Sequence, residues 1–132
     1  MPNVPCNPIA RYYLRAIELS RAGINSPDLG GILEDTAQYT LEHVIPLNPS
    51  DTWNLSEEIL LGYTKKLGNM TLLDPTKNLA LGNKTFIEKC AIYKESPLLI
   101  TQEITPYPEW GPKEIDVRQE AFAKEALKIW TI

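Results

Sequence analysis

The sequence predicts an α+β domain, mainly helical, built on a β-hairpin with a long connection and the helix after it, with a further helix on either side. Three observations predict it. A stretch at 36–45 with alternating β-branched and aromatic residues and a short apolar stretch at 69–73 are bounded by turn chemistry. Apolar residues recur at helical spacing on both flanks, over about 9–22 and about 114–130. The length of 132 residues is enough for one hydrophobic core and short for two, so a single domain over 1–132 is expected, its ββα core at about 37–95.

The N-terminal helix carries Ile9, Tyr13, Leu14 and Ile17 as its apolar stripe, and Gly23 is its expected stop. NSPDLGG at 25–31 is turn chemistry. The first strand ends at Pro46, which has no N–H to give to a ladder. LNPSDTW at 47–53 is a loop, and Asn54 or Ser56 caps a helix reaching about Lys66. Glu57 and Glu58 in its first turn and Lys65 and Lys66 in its last complement the helix dipole. Gly68 ends it, and the second strand, NMTLL, follows at once. DPTK is expected as a turn, after which Asn78 opens a helix to about Glu95, broken near Gly82. Its expected apolar stripe is Leu79, Phe86, Ile87, Cys90 and Tyr93. Four prolines between Ser96 and Pro112 mark an ordered crossing segment, with an extended piece at 98–101. The closing helix presents Val117, Phe122, Ala126, Leu127 and Trp130.

Composition narrows the function. Hydrophobic residues at 43% and charged residues at 23% are those of an ordinary soluble chain. No apolar run approaches the roughly 20 residues that span a bilayer, and no signal peptide is evident at the N-terminus. Cys6 and Cys90 lack metal-type spacing and read as reduced thiols, in keeping with a cytoplasmic protein. The net charge of −4 argues against nucleic acid as a partner, but the charge is unevenly spread. Between Asp28 and Glu58 there is no lysine or arginine, whereas Lys65, Lys66, Lys77, Lys84, Lys89 and Lys94 crowd 63–94 against only Asp74 and Glu88. Such a run is either a solvated face or a surface for a phosphate backbone. Trp53, Trp110 and Trp130 read as core or interface aromatics, Tyr12 and Tyr13 as packing on the first helix, and Arg118 as either an internal salt bridge or a phosphate clamp.

The chemistry concentrates at Glu42-His43, Asn69 and Asn78. His43 is the only histidine, and an imidazole near its ordinary pKa of about 6.5 is suited to take a proton from water. It stands next to a carboxylate at the end of a strand, where neighbouring side chains face opposite ways unless the strand bends. A hard cation such as Mg²⁺ takes oxygen ligands, and one carboxylate with one amide oxygen suffices because water completes the shell. No His/Cys cluster suits zinc.

Glu42-His43-x-x-Pro46, then Asn69 in N-x-x-L-L, then Asn78 nine residues further on, resembles the HNH, or ββα-metal, nuclease superfamily. YYLRAIE at 12–18, EHVIPL, LGNMTLL, NLALGNKTFIEKCAIYKES, Trp110, Ile115, Arg118 and KIW resemble one branch more closely. That branch is the C-terminal nuclease domain of GmrSD-like, modification-dependent (type IV) restriction proteins. The resemblance implies a metal-dependent DNA endonuclease of a restriction or phage-defence system, with His43 as the general base. It implies Glu42 and Asn78 as ligands of one divalent metal, Mg²⁺ first and Mn²⁺ or Ni²⁺ as substitutes. Asn69 is implied to orient His43 by accepting its Nδ1 proton on the main-chain carbonyl. Lys84 and Lys89, assisted by Asn83, are the expected phosphate contacts, with Lys65, Lys66 and Lys77 beside them. The implied partners are DNA, a ParB-like nucleotide-hydrolysing N-terminal domain or subunit, and a second copy of the chain for a double-strand break. Glutamate at 42, where most HNH nucleases have aspartate, and the 26 residues from His43 to Asn69 depart from compact HNH modules. Two other readings compete: an inactive nucleic-acid-binding or protein-interaction module on the same fold, and a helical domain whose three elements lie far apart.

Overall fold

The computed structural model describes residues 7–23, 39–82 and 84–129. In chain order these form α1 (Asn7–Ala22), β1 (Thr40–His43), a 3-10 turn at Asp51–Trp53, α2 (Glu57–Tyr63) and a second 3-10 turn at Leu67–Asn69. There follow β2 (Met70–Leu73), α3 (Pro75–Leu81), α4 (Phe86–Tyr93), α5 (Leu99–Gln102) and α6 (Pro112–Ile129). The domain is mostly helical, with one small antiparallel sheet, as the sequence predicts. Among the described residues no helix is long and apolar enough to cross a membrane.

The sheet is a single pairing of β1 with β2, in which Thr40 faces Leu73, Leu41 faces Leu72, Glu42 faces Thr71 and His43 faces Met70. Alternation sends successive side chains to opposite faces, so two apolar clusters flank the hairpin. Leu72 and Met70 join Ala10, Leu14 and Ile17 of α1 and Phe122 of α6, with Leu98 and Ile100. Leu73 joins Val44, Ile45, Leu81, Phe86, Cys90, Tyr93, Trp110 and Ile115. The buried stripe of α1 therefore runs through Ala10, not Ile9, which is exposed. Gly23 closes α1 at φ +63°, the left-handed conformation that favours glycine.

Local chemistry sets the other boundaries. Ser56 caps α2 by accepting from Ile59 N at 3.2 Å. The helix ends at Tyr63, short of Lys65 and Lys66, where the Thr64 hydroxyl donates to Leu60 O at 2.7 Å. DPTK is a helix start and not a free turn: Asp74 accepts from Thr76 N and Lys77 N, and Pro75 supplies the fixed φ of a first helical residue. Asn78 thus lies one turn inside α3 instead of at its beginning. The break at Gly82 is present, and α4 restarts with a capping box between Thr85 and Glu88. On these two helices Phe86, Cys90 and Tyr93 are buried as expected, but Leu79 is 87% and Ile87 75% exposed. The piece at 98–101 is not extended. It is the short helix α5, whose first amides, Leu99 N and Ile100 N, are capped by the buried carboxylate of Glu18 from α1.

The N-terminal part of α6 packs directly on the 3-10 turn before β2. A Cβ on Gly68 would stand 2.5 Å from Ile115 O, so only glycine permits this approach. Ile115, Arg118, Gln119 and Phe122 form the buried face of α6, whereas Val117 and Leu127 are exposed. Arg118 is an internal clamp: its guanidinium is buried on Glu103 and on the carbonyls of Gly68, Met70 and Ile100. Residues 24–38, including part of the expected first strand, and Cys6 and Trp130 lie outside the described residues. Cys90 is a buried free thiol.

Candidate active site at the end of the first strand

β1 ends at His43, two residues before the expected boundary. Asn69, wholly buried, explains why. Its carbonyl accepts from Val44 N at 2.9 Å, continuing the ladder by one bond. Its side-chain amide then replaces a backbone partner for Ile45: Oδ1 accepts from Ile45 N at 2.9 Å, and Nδ2 donates to Ile45 O at 3.1 Å. Nδ2 also donates to Thr64 O, and Oδ1 accepts from the Trp110 indole at 3.1 Å, so every hydrogen-bonding site of the amide is used. Asn69 therefore fixes the chain just past His43. The carbonyl expected to orient the imidazole accepts from the N–H of Val44, the residue next to His43.

Asn78 meets the same strand from α3. Its Nδ2 donates to Leu41 O at 3.1 Å and to Thr40 Oγ1 at 2.8 Å. Because a carbonyl can only accept, the bond to Leu41 O fixes which end of the amide is nitrogen. Oδ1 carries no hydrogen-bond partner among the described residues, and Asn78 as a whole is partly exposed. A fixed, unpaired amide oxygen is a suitable donor for a hard cation.

Glu42 is placed differently. It is 6% exposed, and its Oε2 accepts from Lys89 Nζ at 3.1 Å and from the Tyr93 hydroxyl at 2.6 Å. Lys89 is 1% exposed and donates in addition to His43 O and Val44 O, each at 3.0 Å. Lys89 is therefore no phosphate contact: its three donors are spent inside the protein. A carboxylate already paired with an ammonium and hydrogen-bonded by a phenol does not fit direct ligation of a metal either. Burial pushes the Glu42 carboxyl up and the Lys89 ammonium down, while each partner pulls the other back toward its charged form. The charged pair is the form that uses all three ammonium protons, and it is the form that Tyr93, as a donor, supports. Among the described residues no group of three or more His, Cys, Asp and Glu could hold a metal, so the fit to a cation rests on Asn78.

His43 is partly buried at the strand end. Burial holds its imidazole below the ordinary value, and the charges of Lys89 and Lys65 lower it further. The neutral, proton-accepting form therefore prevails at neutral pH. The fold favours that neutral form, so its contribution to stability is present above the ordinary imidazole pKa and is lost as pH falls through the lowered folded value. As the sole histidine, His43 gives ring resonances that assign themselves. An NMR titration is expected to place its midpoint below about 6.5; a midpoint at or above that value would contradict the environment described.

The remaining lysines are at the surface. Lys65 is exposed and without an ion pair among the described residues, and Lys84 is partly exposed. Lys66 is shared between Asp116 at 3.3 Å and the Tyr63 ring, and Lys77 reaches Glu95 at 3.4 Å. Exposed pairs of this kind are weak and leave a lysine free to exchange partners. Asn83 lies outside the described residues.

Glu42, His43, Asn69 and Asn78 are thus gathered within hydrogen-bond reach of residues 40–45, which removes the reading in which they lie far apart. A family model described as the C-terminal domain of GmrSD restriction endonucleases matches residues 3–125. The chain belongs to this family. No curated protein matches it. As a GmrSD C-terminal domain it is a nuclease module related to restriction endonucleases, and the strand end carrying His43 is its candidate active site. Two contributors to the candidate site were missed in sequence. Tyr93 was assigned only to the apolar stripe, although a phenol beside a buried lysine signals a carboxylate partner. Trp110 was read as packing, although its indole N–H anchors Asn69.

Proposed function

We propose that the domain is a metal-dependent DNA endonuclease of HNH type, with His43 as general base and Asn78 as the protein ligand of one divalent cation, Mg²⁺ by default and Mn²⁺ or Ni²⁺ as substitutes. The observation that carries this is that one short strand is met by both asparagines: Asn69 fixes the chain just past the neutral His43, and Asn78, with its amide oxygen held ready on α3, bonds Thr40 and Leu41. When bound, the cation supplies charge neutralisation at a phosphate oxygen and at the leaving oxygen.

The protein's own part is positioning and proton transfer. Asn69 and Trp110 fix the chain after His43, so that the imidazole is held before substrate arrives. Neutral His43 takes a proton from water as the water oxygen bonds to phosphorus. The bond from phosphorus to the leaving oxygen then breaks, and that oxygen gains a proton from solvent. Lys65 and Lys84, with Lys66 and Lys77, are assigned to the DNA backbone. Target recognition falls to a nucleotide-hydrolysing N-terminal partner domain, and a double-strand break requires a second copy of the nuclease.

Plasmid nicking with Mg²⁺ or Mn²⁺, and with chelator, tests the activity. Metal-dependent loss of supercoiled DNA is expected, and no cleavage with any metal would favour the inactive binding module. The ligand is tested without catalysis. Asn78→Ala is expected to weaken Mn²⁺ binding by at least about tenfold, and an unchanged affinity would move the ligand elsewhere.

A further inference from the structure

The open edge of β1 is covered by side chains from the two helices that follow the hairpin. Leu41 O is met by Asn78 of α3, and His43 O by Lys89 of α4. Lys89 then reaches one carbonyl further, to Val44 O, and closes on Glu42 Oε2. A single buried ammonium therefore ties together the residues before and after His43 as well as the main chain of His43 itself. Tyr93, one helical turn beyond Lys89, holds the same carboxylate oxygen at 2.6 Å. The position is one that hydrophobic packing alone would fill with leucine or methionine, since Phe86, Cys90 and Tyr93 share its face. A lysine there brings desolvation that an apolar residue avoids, and what it provides in return is a set of directional bonds.

We infer that Lys89 is a positioning residue for His43, acting through the main-chain carbonyls of His43 and Val44, with Glu42 as its buried counter-ion. The inference rests on the nuclease reading for its kinetic consequence but not for its structural one. It assigns Glu42 and Lys89 a role that neither metal ligation nor phosphate binding describes. Asn69 holds the chain just past His43 from the β2 side, and Lys89 holds it from the α4 side, so the imidazole is oriented by a strand end gripped on both edges.

The test is the paired replacement Glu42→Gln with Lys89→Met, which removes the clamp without leaving one charge buried alone. The control is Ile17→Ala, in the other apolar cluster, chosen to lower the melting temperature comparably. For the pair, kcat for plasmid nicking is expected to fall about 10- to 100-fold with KM within about twofold, while the control keeps kcat. A raised KM with kcat kept would make Lys89 a DNA contact, and no change in either would remove it from the site; both overturn the inference. If the parent domain cuts no DNA, the nuclease reading fails by itself and the ring of His43 still reports. NOEs from the ring to its neighbours are expected to change in the pair and to persist in the control. NOEs unchanged in the pair overturn the positioning role. Should the pair not fold, Lys89→Arg is read in the same way, because a planar guanidinium cannot place one nitrogen on two adjacent carbonyls and the carboxylate.

Discussion

His43→Ala is expected to lower cleavage about 10²- to 10⁴-fold, the usual contribution of a general base. DNA affinity should stay within about twofold of the parent, because a neutral imidazole contributes no charge to phosphate binding. Burial and the charges of Lys89 and Lys65 keep it neutral. The fold should survive as well. The ring is only partly buried, and the strand end it occupies is held by Asn69 and Lys89 through main-chain bonds that alanine also makes. Single-turnover cleavage, a DNA-binding titration and a melting curve on the same preparation separate the three quantities. A variant that cuts at the parent rate removes His43 from the mechanism. A variant that loses binding in step with cleavage makes His43 a contact residue instead of a base. Activity in the parent should also fall as pH drops through the lowered pKa of His43, since only the neutral ring accepts a proton, and the alanine variant should lack that limb.

How far the sequence was legible depended on whether short-range chemistry or tertiary context decided each residue. Caps were readable, because Ser56 and the glycine after α1 act within a few residues of themselves. So was the hairpin, because short apolar runs bounded by turn residues and proline have few alternatives. DPTK was misread because the same Asp-Pro pair begins a turn or a helix, and only the following residues' packing decides. The helical faces were misread where charge was taken as a sign of exposure. Phe86, Lys89, Cys90 and Tyr93 stand at i, i+3, i+4 and i+7, one face of one helix, and that spacing places Lys89 inside and Ile87 outside. A lysine on a buried stripe requires a buried acceptor, and Glu42 was the acidic residue of the motif. That pairing of positions 42 and 89 is not local, so periodicity alone could flag the lysine but not name its partner. Asn69 shows the opposite case. Its motif position was legible, but its role depends on Ile45, Thr64 and Trp110, which only the fold brings to it.

Arg118→Ala is expected to be the most destabilising single change in the scaffold. The guanidinium of Arg118 donates to Gly68 O at 2.9 Å, Met70 O at 2.5 Å, Ile100 O at 2.8 Å and Glu103 Oε1 at 2.7 Å. Alanine would leave the carbonyls without these donors, at about 1–3 kcal/mol for each one left unsatisfied. A domain of this size has only about 5–15 kcal/mol in total, so the melting temperature should fall by on the order of 10 °C or more, and the variant is expected to be partly unfolded at 37 °C. Arg118→Lys should recover only part of the loss, since one ammonium cannot reproduce a planar fork that spans several acceptors. The consequence reaches the candidate active site through a definite route. Gly68 and Met70 flank Asn69, so the same guanidinium that joins α6 to α5 also holds the turn from which Asn69 fixes the chain beyond His43. Below its melting temperature, Arg118→Lys should therefore lose cleavage through kcat while binding DNA normally. A melting temperature within about 2 °C of the parent for Arg118→Ala would mean that those carbonyls find other donors, and that the turn carrying Asn69 is held by Gln119 and packing alone.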